Sequence, residues 1–355
     1  MKNLKKHWWL LLSLMLLAFW LRTFKLETPL ADWHSWRQAD TASVTRQFVR
    51  HRYPIWEPHY HDLSNIPSGQ ENPAGYRMVE FPLINYLTAQ VLIIYPQLDL
   101  VVTSRLVSIG FSLVGLMSLY GLTYILTHRR LLAFLSGFFF AVLPYSVFYS
   151  RVILPEPAML GTQLLSLWLF TWWLDQKSKR SKPSSVLYIG SLLSLAISLL
   201  LKPTAIFIAP VYLVLSLSYL GWSALFSPSL WFYALGATLP LMAWRRWIQN
   251  FPTGIPAATW LFNGNEIRLR PAWWRWLFAE RIGKMILGYW GSVFLFLGLG
   301  ARLRINHRLR RRFEAMTLTW AASLFLYLVI FATGNVQHDY YQTLLIPLIS
   351  LLLAR

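Results

Sequence analysis

Apolar residues fall in long unbroken runs, each closed by a short polar or basic connection. The runs lie at about 8–23, 105–127, 131–148, 157–174, 186–201, 204–220, 230–247, 285–299, 316–332 and 343–353. Most approach the length of about 20 residues that a helix needs to cross a hydrocarbon core. The pattern predicts an all-α polytopic membrane protein of about ten transmembrane helices. One further apolar helix opens at Glu80-Phe81-Pro82-Leu83 and ends near Tyr95. It is predicted to lie along the interface, because a crossing there would invert the charge pattern of every later connection.

Two longer polar segments, 24–104 and 249–281, interrupt the runs and are predicted to be extracytoplasmic. In the first, Ser35-Trp36-Arg37-Gln38 has capping-box spacing, which predicts a helix from there to about Arg52. Trp33, Trp36, Arg37, Asp40, Val44 and Gln47 recur on it at intervals of three and four, forming one stripe. Tyr53-Pro54 ends that helix, and the Pro-, Gly- and Asn-rich stretch 54–75 reads as loop. No repeat of 20–50 residues is present, so 1–355 reads as one membrane domain.

Composition agrees with this pattern. The chain is 56% hydrophobic and 16% aromatic but only 13% charged, against about 25% charged in soluble domains. Its net charge of +19 would suggest nucleic acid in a soluble protein. Here the basic clusters Lys2/Lys5/Lys6, 128–130, 177–182 and 302–312 occupy alternate connections. That distribution is the positive-inside pattern, and it predicts a cytoplasmic N-terminus in the inner (plasma) membrane, with no nucleic-acid partner. The first run has the basic start of a signal peptide, yet no small-x-small cleavage site follows it, so a retained anchor is expected. With no cysteine, thiol chemistry and disulfides are excluded. No Walker loop, dinucleotide glycine fingerprint or His-Glu-x-x-His occurs, which removes ATP-driven and zinc-hydrolase chemistry of those types.

The remaining charged residues are few enough to weigh singly. Asp40 sits in the first turns of the predicted helix, beside Arg37 and the tryptophans. It reads either as a solvated carboxylate paired with Arg37 or Arg46, or as an oriented general base for an acceptor hydroxyl. Glu156 occupies a very short outer loop between two spans, either as a salt-bridge partner of Arg151 or as a functional acid. Lys202 ends an unbroken apolar run, with Arg105 at the matching level of another span. Each is a candidate for clamping a lipid phosphate, with snorkelling to the interface as the simpler reading. His338-Asp339-Tyr340-Tyr341 lies between the last two spans and lacks metal-ligand spacing; aromatic and hydrogen-bonded contact with a sugar or lipid head suits it better. No cofactor is required by any motif, and a divalent metal is left open.

Several of these pieces resemble one family when taken together. A first helix with its N-terminus inside, then His34-x-Trp36-Arg37-Gln38-Ala39-Asp40 in a large first outer loop, is similar to the GT-C superfamily of membrane glycosyltransferases. The nearest branch is the bacterial one related to protein O-mannosyltransferases and aminoarabinose transferases. Glu80-Phe-Pro-Leu83, Arg105-Leu-Val-Ser108, Arg151 to Pro157, Leu201-Lys202-Pro203 and His338-Asp-Tyr-Tyr341 follow in that family's order. The resemblance implies a polyprenyl-phosphate-linked sugar donor and a glycan, lipid or protein acceptor. It implies an inverting single displacement with Asp40 as base, helped by Glu156. Lys202, Arg105 and Arg37 would hold the donor phosphate, and His34, Trp36, Glu80, Arg151, His338, Asp339, Tyr340 and Tyr341 would line the substrate site. Family members usually run longer, so a short or C-terminally truncated copy is expected, and Asp40 is followed by Thr41 where mannosyltransferases often carry a second acid.

Two rival functions are weighed against this one. A transporter or flippase of lipid-linked sugars predicts ionisable residues at mid-span depth, whereas these lie at span ends. A polysaccharide polymerase or ligase would rely on arginines of the later outer loop, for which Arg268, Arg270 and Arg275 are available.

Overall fold

The computed structural model describes residues 8–179 and 183–355; Lys2, Lys5 and Lys6 and residues 180–182 of the basic clusters lie outside them. Its α-helices, in chain order, are α1 (Trp8–Thr23), α2 (Ser35–His51), α3 (Leu83–Ile94), α4 (Leu100–Thr127), α5 (Arg130–Val142), α6 (Pro144–Tyr149), α7 (Glu156–Ser178) and α8 (Ser185–Leu201). They continue as α9 (Ala209–Leu220), α10 (Pro228–Trp247), α11 (Pro271–Trp274), α12 (Trp290–Gly300), α13 (His307–Ile330), α14 (Ala332–Gln337) and α15 (Ile346–Leu353). A π-helical segment, Arg275–Ile286, joins α11 towards α12, and 3₁₀ turns link several of the others. The all-helical expectation holds among the described residues, which contain one isolated antiparallel bridge, His59 with Tyr76, and no named strand.

The expected ten crossings do not appear as ten long helices. Among the described residues three helical segments are long and apolar enough to cross a membrane singly: Leu100–Thr127, Pro203–Phe226 and His307–Ile330. A bent pair, Pro271–Ile286 with Trp290–Gly300, makes a fourth if it counts as one span. Two of the other apolar runs are cut short by their own sequence. The run at 131–148 breaks at Pro144 into α5 and α6, because proline carries no N–H and clashes with the preceding turn. The run at 343–353 begins as a 3₁₀ turn and has only eight residues of α-helix. The apolar helix after Glu80, α3, has 12 residues, a length of about 18 Å.

The core joins α4, α5, α7, α8, α9, α13 and α15 through one continuous apolar cluster. The backbones of α4 and α7 touch at Gly161, where a Cβ would stand 2.2 Å from the Phe111 carbonyl oxygen. Only glycine fits that crossing.

Arg22 is the exception in this core. It is fully buried in the last turn of α1 without a carboxylate partner. Its guanidinium donates to the carbonyls of Phe140 (3.1 Å), Ala141 (3.0 Å) and Ala18 (3.1 Å), and to the Ser112 hydroxyl (3.2 Å). Phe140 is the residue whose carbonyl would bond to position 144 in a continuous helix, and position 144 is proline. Arg22 therefore caps the end that Pro144 leaves open. Arg22→Met is expected to destabilise the protein by about 1–3 kcal/mol, because the buried Ala141 carbonyl loses its donor while Phe140 keeps the Ser146 hydroxyl at 2.7 Å, read as a lower midpoint of thermal unfolding in detergent.

Candidate active site at the loop-bearing end

The segments 24–82 and 249–270 lie at one end of the bundle and dock on each other. Met78 N–H donates to the Gly254 carbonyl (2.8 Å), and Ala257 N–H to that of Pro67 (2.9 Å). Helix α2 packs on α3 through Phe48 and Tyr86, whose rings meet edge-on at 5.5 Å, and Asn85 Nδ2 donates to the Thr41 carbonyl (2.6 Å). The start of α2 differs from the expected capping box. His34, not Ser35, is the N-cap; it sits at φ 56°, and no side chain caps the helix. Gln38 still reaches back, but to the Asp32 carboxylate (2.7 Å) and the Trp33 carbonyl (3.0 Å). A histidine held in the left-handed region is strained, and such strain persists where the surroundings demand it.

What demands it is Asp339. This carboxylate is fully buried and accepts from His34 Nε2, Trp33 Nε1 (2.5 Å) and the Tyr149 hydroxyl (2.7 Å), with Arg281 at 3.6 Å. The start of α2 is thereby tied to the last connection of the chain. His338 stacks on Tyr340 at 5.3 Å and meets Trp260 edge-on at 5.4 Å, with Trp36 at 5.9 Å. Burial and then the charges of His34, Lys202 and Arg37 hold the His338 imidazole down at about 4, so it is neutral at physiological pH.

A second charged cluster adjoins this one. Lys202 Nζ bonds Glu156 Oε1, stands 3.7 Å from Glu80 Oε1, and lies over the rings of Tyr340 (5.1 Å) and Tyr341 (5.0 Å). The chain places it there because α8 ends at Leu201, Lys202 is extended, and Pro203 starts a new helical turn. Glu156 begins α7 between two prolines, is 2% exposed, and leaves Oε2 without a partner. Arg37 Nη2 donates to both oxygens of Glu80, at 2.8 and 2.9 Å. Burial pushes the Glu80 carboxyl up, but Arg37, Lys202 and Arg77 together outweigh it and bring it down to about 2.

The expected residues thus sort into groups. Lys202, Glu156, Arg37, Glu80, Tyr340 and Tyr341 form one cluster, joined through Tyr340 to His34, His338 and Asp339. Arg37 pairs with Glu80, and the cation beside Asp40 is Arg77, at 3.4 Å, with His61 at 4.0 Å. Arg105 lies elsewhere: it donates to the Leu26 and Thr28 carbonyls (both 2.6 Å) and approaches Asp32 at 3.5 Å. Arg151 likewise donates to the Phe24 and Lys25 carbonyls and leaves Glu156 to Lys202. These two arginines pin the segment entering α2. Arg270 and Arg275 are exposed. Arg77, Tyr149 and Arg281 were not singled out by the sequence, and Trp33 only as one position of the stripe; a lone arginine three residues before Glu80, closing a Pro- and Gly-rich loop, was the available signal for Arg77. Among the described residues no three His, Asp or Glu side chains gather as metal ligands.

The fold is shared with solved structures of membrane proteins. Among solved structures, ArnT from Cupriavidus metallidurans bound to undecaprenyl phosphate superposes with a TM-score of 0.64 at 14% identity, over 97% of this chain and 59% of that one. The oligosaccharyltransferase AglB from Archaeoglobus fulgidus, in complex with an inhibitory peptide and a dolichol-phosphate, gives a TM-score of 0.54 at 13% identity, over 99% of this chain and 50% of that one. The chain therefore spans little more than half the length of these structures. No protein-family model and no curated protein sequence matches it.

Proposed function

We propose that the protein is a glycosyltransferase that moves a sugar from a polyprenyl-phosphate donor to an acceptor hydroxyl at the extracytoplasmic membrane face. The observation that carries this reading is the buried set Lys202, Arg37, Glu156 and Glu80, gathered at the loop-bearing end of a fold that ArnT shares while bound to a lipid phosphate. Charged groups buried beside a membrane are costly and mark functional sites. Lys202 and Arg37 are suited to the donor phosphate, where fixed cations stabilise the charge that develops on the leaving group. Tyr340 and Tyr341, over the Lys202 ammonium, exclude water from it.

In the proposed step the acceptor oxygen attacks the anomeric carbon and the bond to the phosphate oxygen breaks. The lipid phosphate leaves with the electron pair, and Asp40 takes the acceptor proton. Arg77 at 3.4 Å orients that carboxylate. Attack from the side opposite the phosphate inverts the anomeric centre. The test is donor turnover in nanodiscs holding the full chain and a panel of polyprenyl-phosphate sugars. Release of polyprenyl phosphate with transfer of the sugar to an added acceptor is expected. Movement of intact donor across a vesicle bilayer without cleavage would instead establish a flippase.

A further inference from the structure

The proposed phosphate ligands are already neutralised. Arg37 and Lys202 face Glu80 and Glu156, with Arg77 beside Asp40 and Arg245 near Glu80, so each proposed phosphate ligand already has a carboxylate on it. Within this cluster Glu80 differs from the other two acids. Asp40 lies beside Arg77 at 3.4 Å, and Glu156, among the described residues, is ion-paired with Lys202 alone. Glu80 bridges both proposed phosphate ligands, with two bonds to Arg37 and one oxygen 3.7 Å from Lys202. A carboxylate that offers both oxygens to one arginine nitrogen and also stands near an ammonium presents the paired anionic oxygens that a phosphate would. Glu80 also belongs to the loop before α3 and not to a core helix, and its side chain is 16% exposed.

We infer that Glu80 is an internal stand-in for the donor phosphate, displaced when a lipid phosphate binds and returning to Arg37 and Lys202 to expel the lipid-phosphate product. The inference rests on the reading that Lys202 and Arg37 hold that phosphate. It assigns Glu80 a role in affinity and product release rather than in bond making. Product release is where such a counter-ion matters most, because the phosphate monoester left after transfer carries more charge than the diester donor and would otherwise stay bound.

The test is Glu80→Gln in the full chain in nanodiscs, titrated with undecaprenyl phosphate and separately with inorganic phosphate. Removing a competing charge so close to two cations is expected to tighten undecaprenyl phosphate binding by about tenfold or more. With donor supplied, KM and kcat should fall together as product release slows. The empty variant should melt earlier, since Arg37 loses its counter-charge, and should regain more stability on lipid-phosphate binding than the wild type does. Glu80→Asp, which keeps the charge but is too short to span both cations, should fold and also bind the lipid phosphate more tightly. Unchanged or weaker binding in a folded variant would overturn the stand-in role. Absence of undecaprenyl phosphate binding by the wild type would overturn the donor reading itself. Inorganic phosphate binding as tightly as the lipid would overturn the lipid source.

Discussion

Lys202→Met is expected to lower sugar transfer by about 10²–10³-fold, the effect typical of removing one preorganised group from a developing negative charge. The same change removes the only cation among the described residues bonded to Glu156, whose buried carboxylate has one oxygen with no partner among them. Breaking a buried pair in this way costs about 3–5 kcal/mol, so the single variant tests stability and chemistry at once. The double variant Lys202→Met/Glu156→Gln separates them. It removes charge from both partners, is expected to recover most of the thermal stability, and should remain inactive. Donor binding should weaken more than acceptor binding. Recovery of turnover in the double variant would show that Lys202 serves only as the counter-ion of Glu156.

Asp40→Asn is the second large effect. Loss of a positioned general base lowers turnover by about 10²–10⁴-fold. Asparagine keeps the shape of the side chain and a hydrogen-bond acceptor for Arg77, and the position is partly exposed, so the folded protein should accumulate normally. The fall should appear in kcat with donor affinity unchanged, the signature of an interaction made in the transition state. Retained turnover at the wild-type rate would remove Asp40 from the chemistry.

Much of the scaffold was legible from apolar periodicity, and the reasons are local. The first run, 8–23, coincides with α1 because nothing inside it breaks a helix. The helix carrying Asp40 ends within a residue of expectation, since Tyr53-Pro54 cannot continue it. The helix after Glu80 was set apart by the charge pattern of the later connections, and it proves to have 12 residues. What periodicity overstated was continuity. Pro144 divides one run that hydropathy alone joins, and the last run begins as a 3₁₀ turn before its eight residues of α-helix. The resemblance to GT-C enzymes named most of the cluster, but the pairing within it was not readable. Arg37 and Glu80 are 43 residues apart, Lys202 and Glu156 46, and His34 and Asp339 305. A helical stripe relates positions three or four apart and is silent about partners brought together by packing. Arg37 therefore looked like the companion of Asp40, one turn away, when its guanidinium is committed to Glu80 and Arg77 stands beside Asp40. Arg105 and Arg151 misled in the same way: their position along the chain suggested a phosphate ligand and a Glu156 partner, yet both bond loop carbonyls. Arg22 had no local signal either, because the carbonyls it caps belong to a helix more than a hundred residues away.

The central claim is that this end of the protein holds a lipid phosphate. Mass spectrometry of the lipids retained by the purified full chain tests it most directly. A polyprenyl phosphate or its sugar-linked form, present near one per protein and lost from Lys202→Met/Glu156→Gln, is the predicted result. Bulk membrane phospholipids alone, in the same amounts on the wild type and the variant, would contradict it.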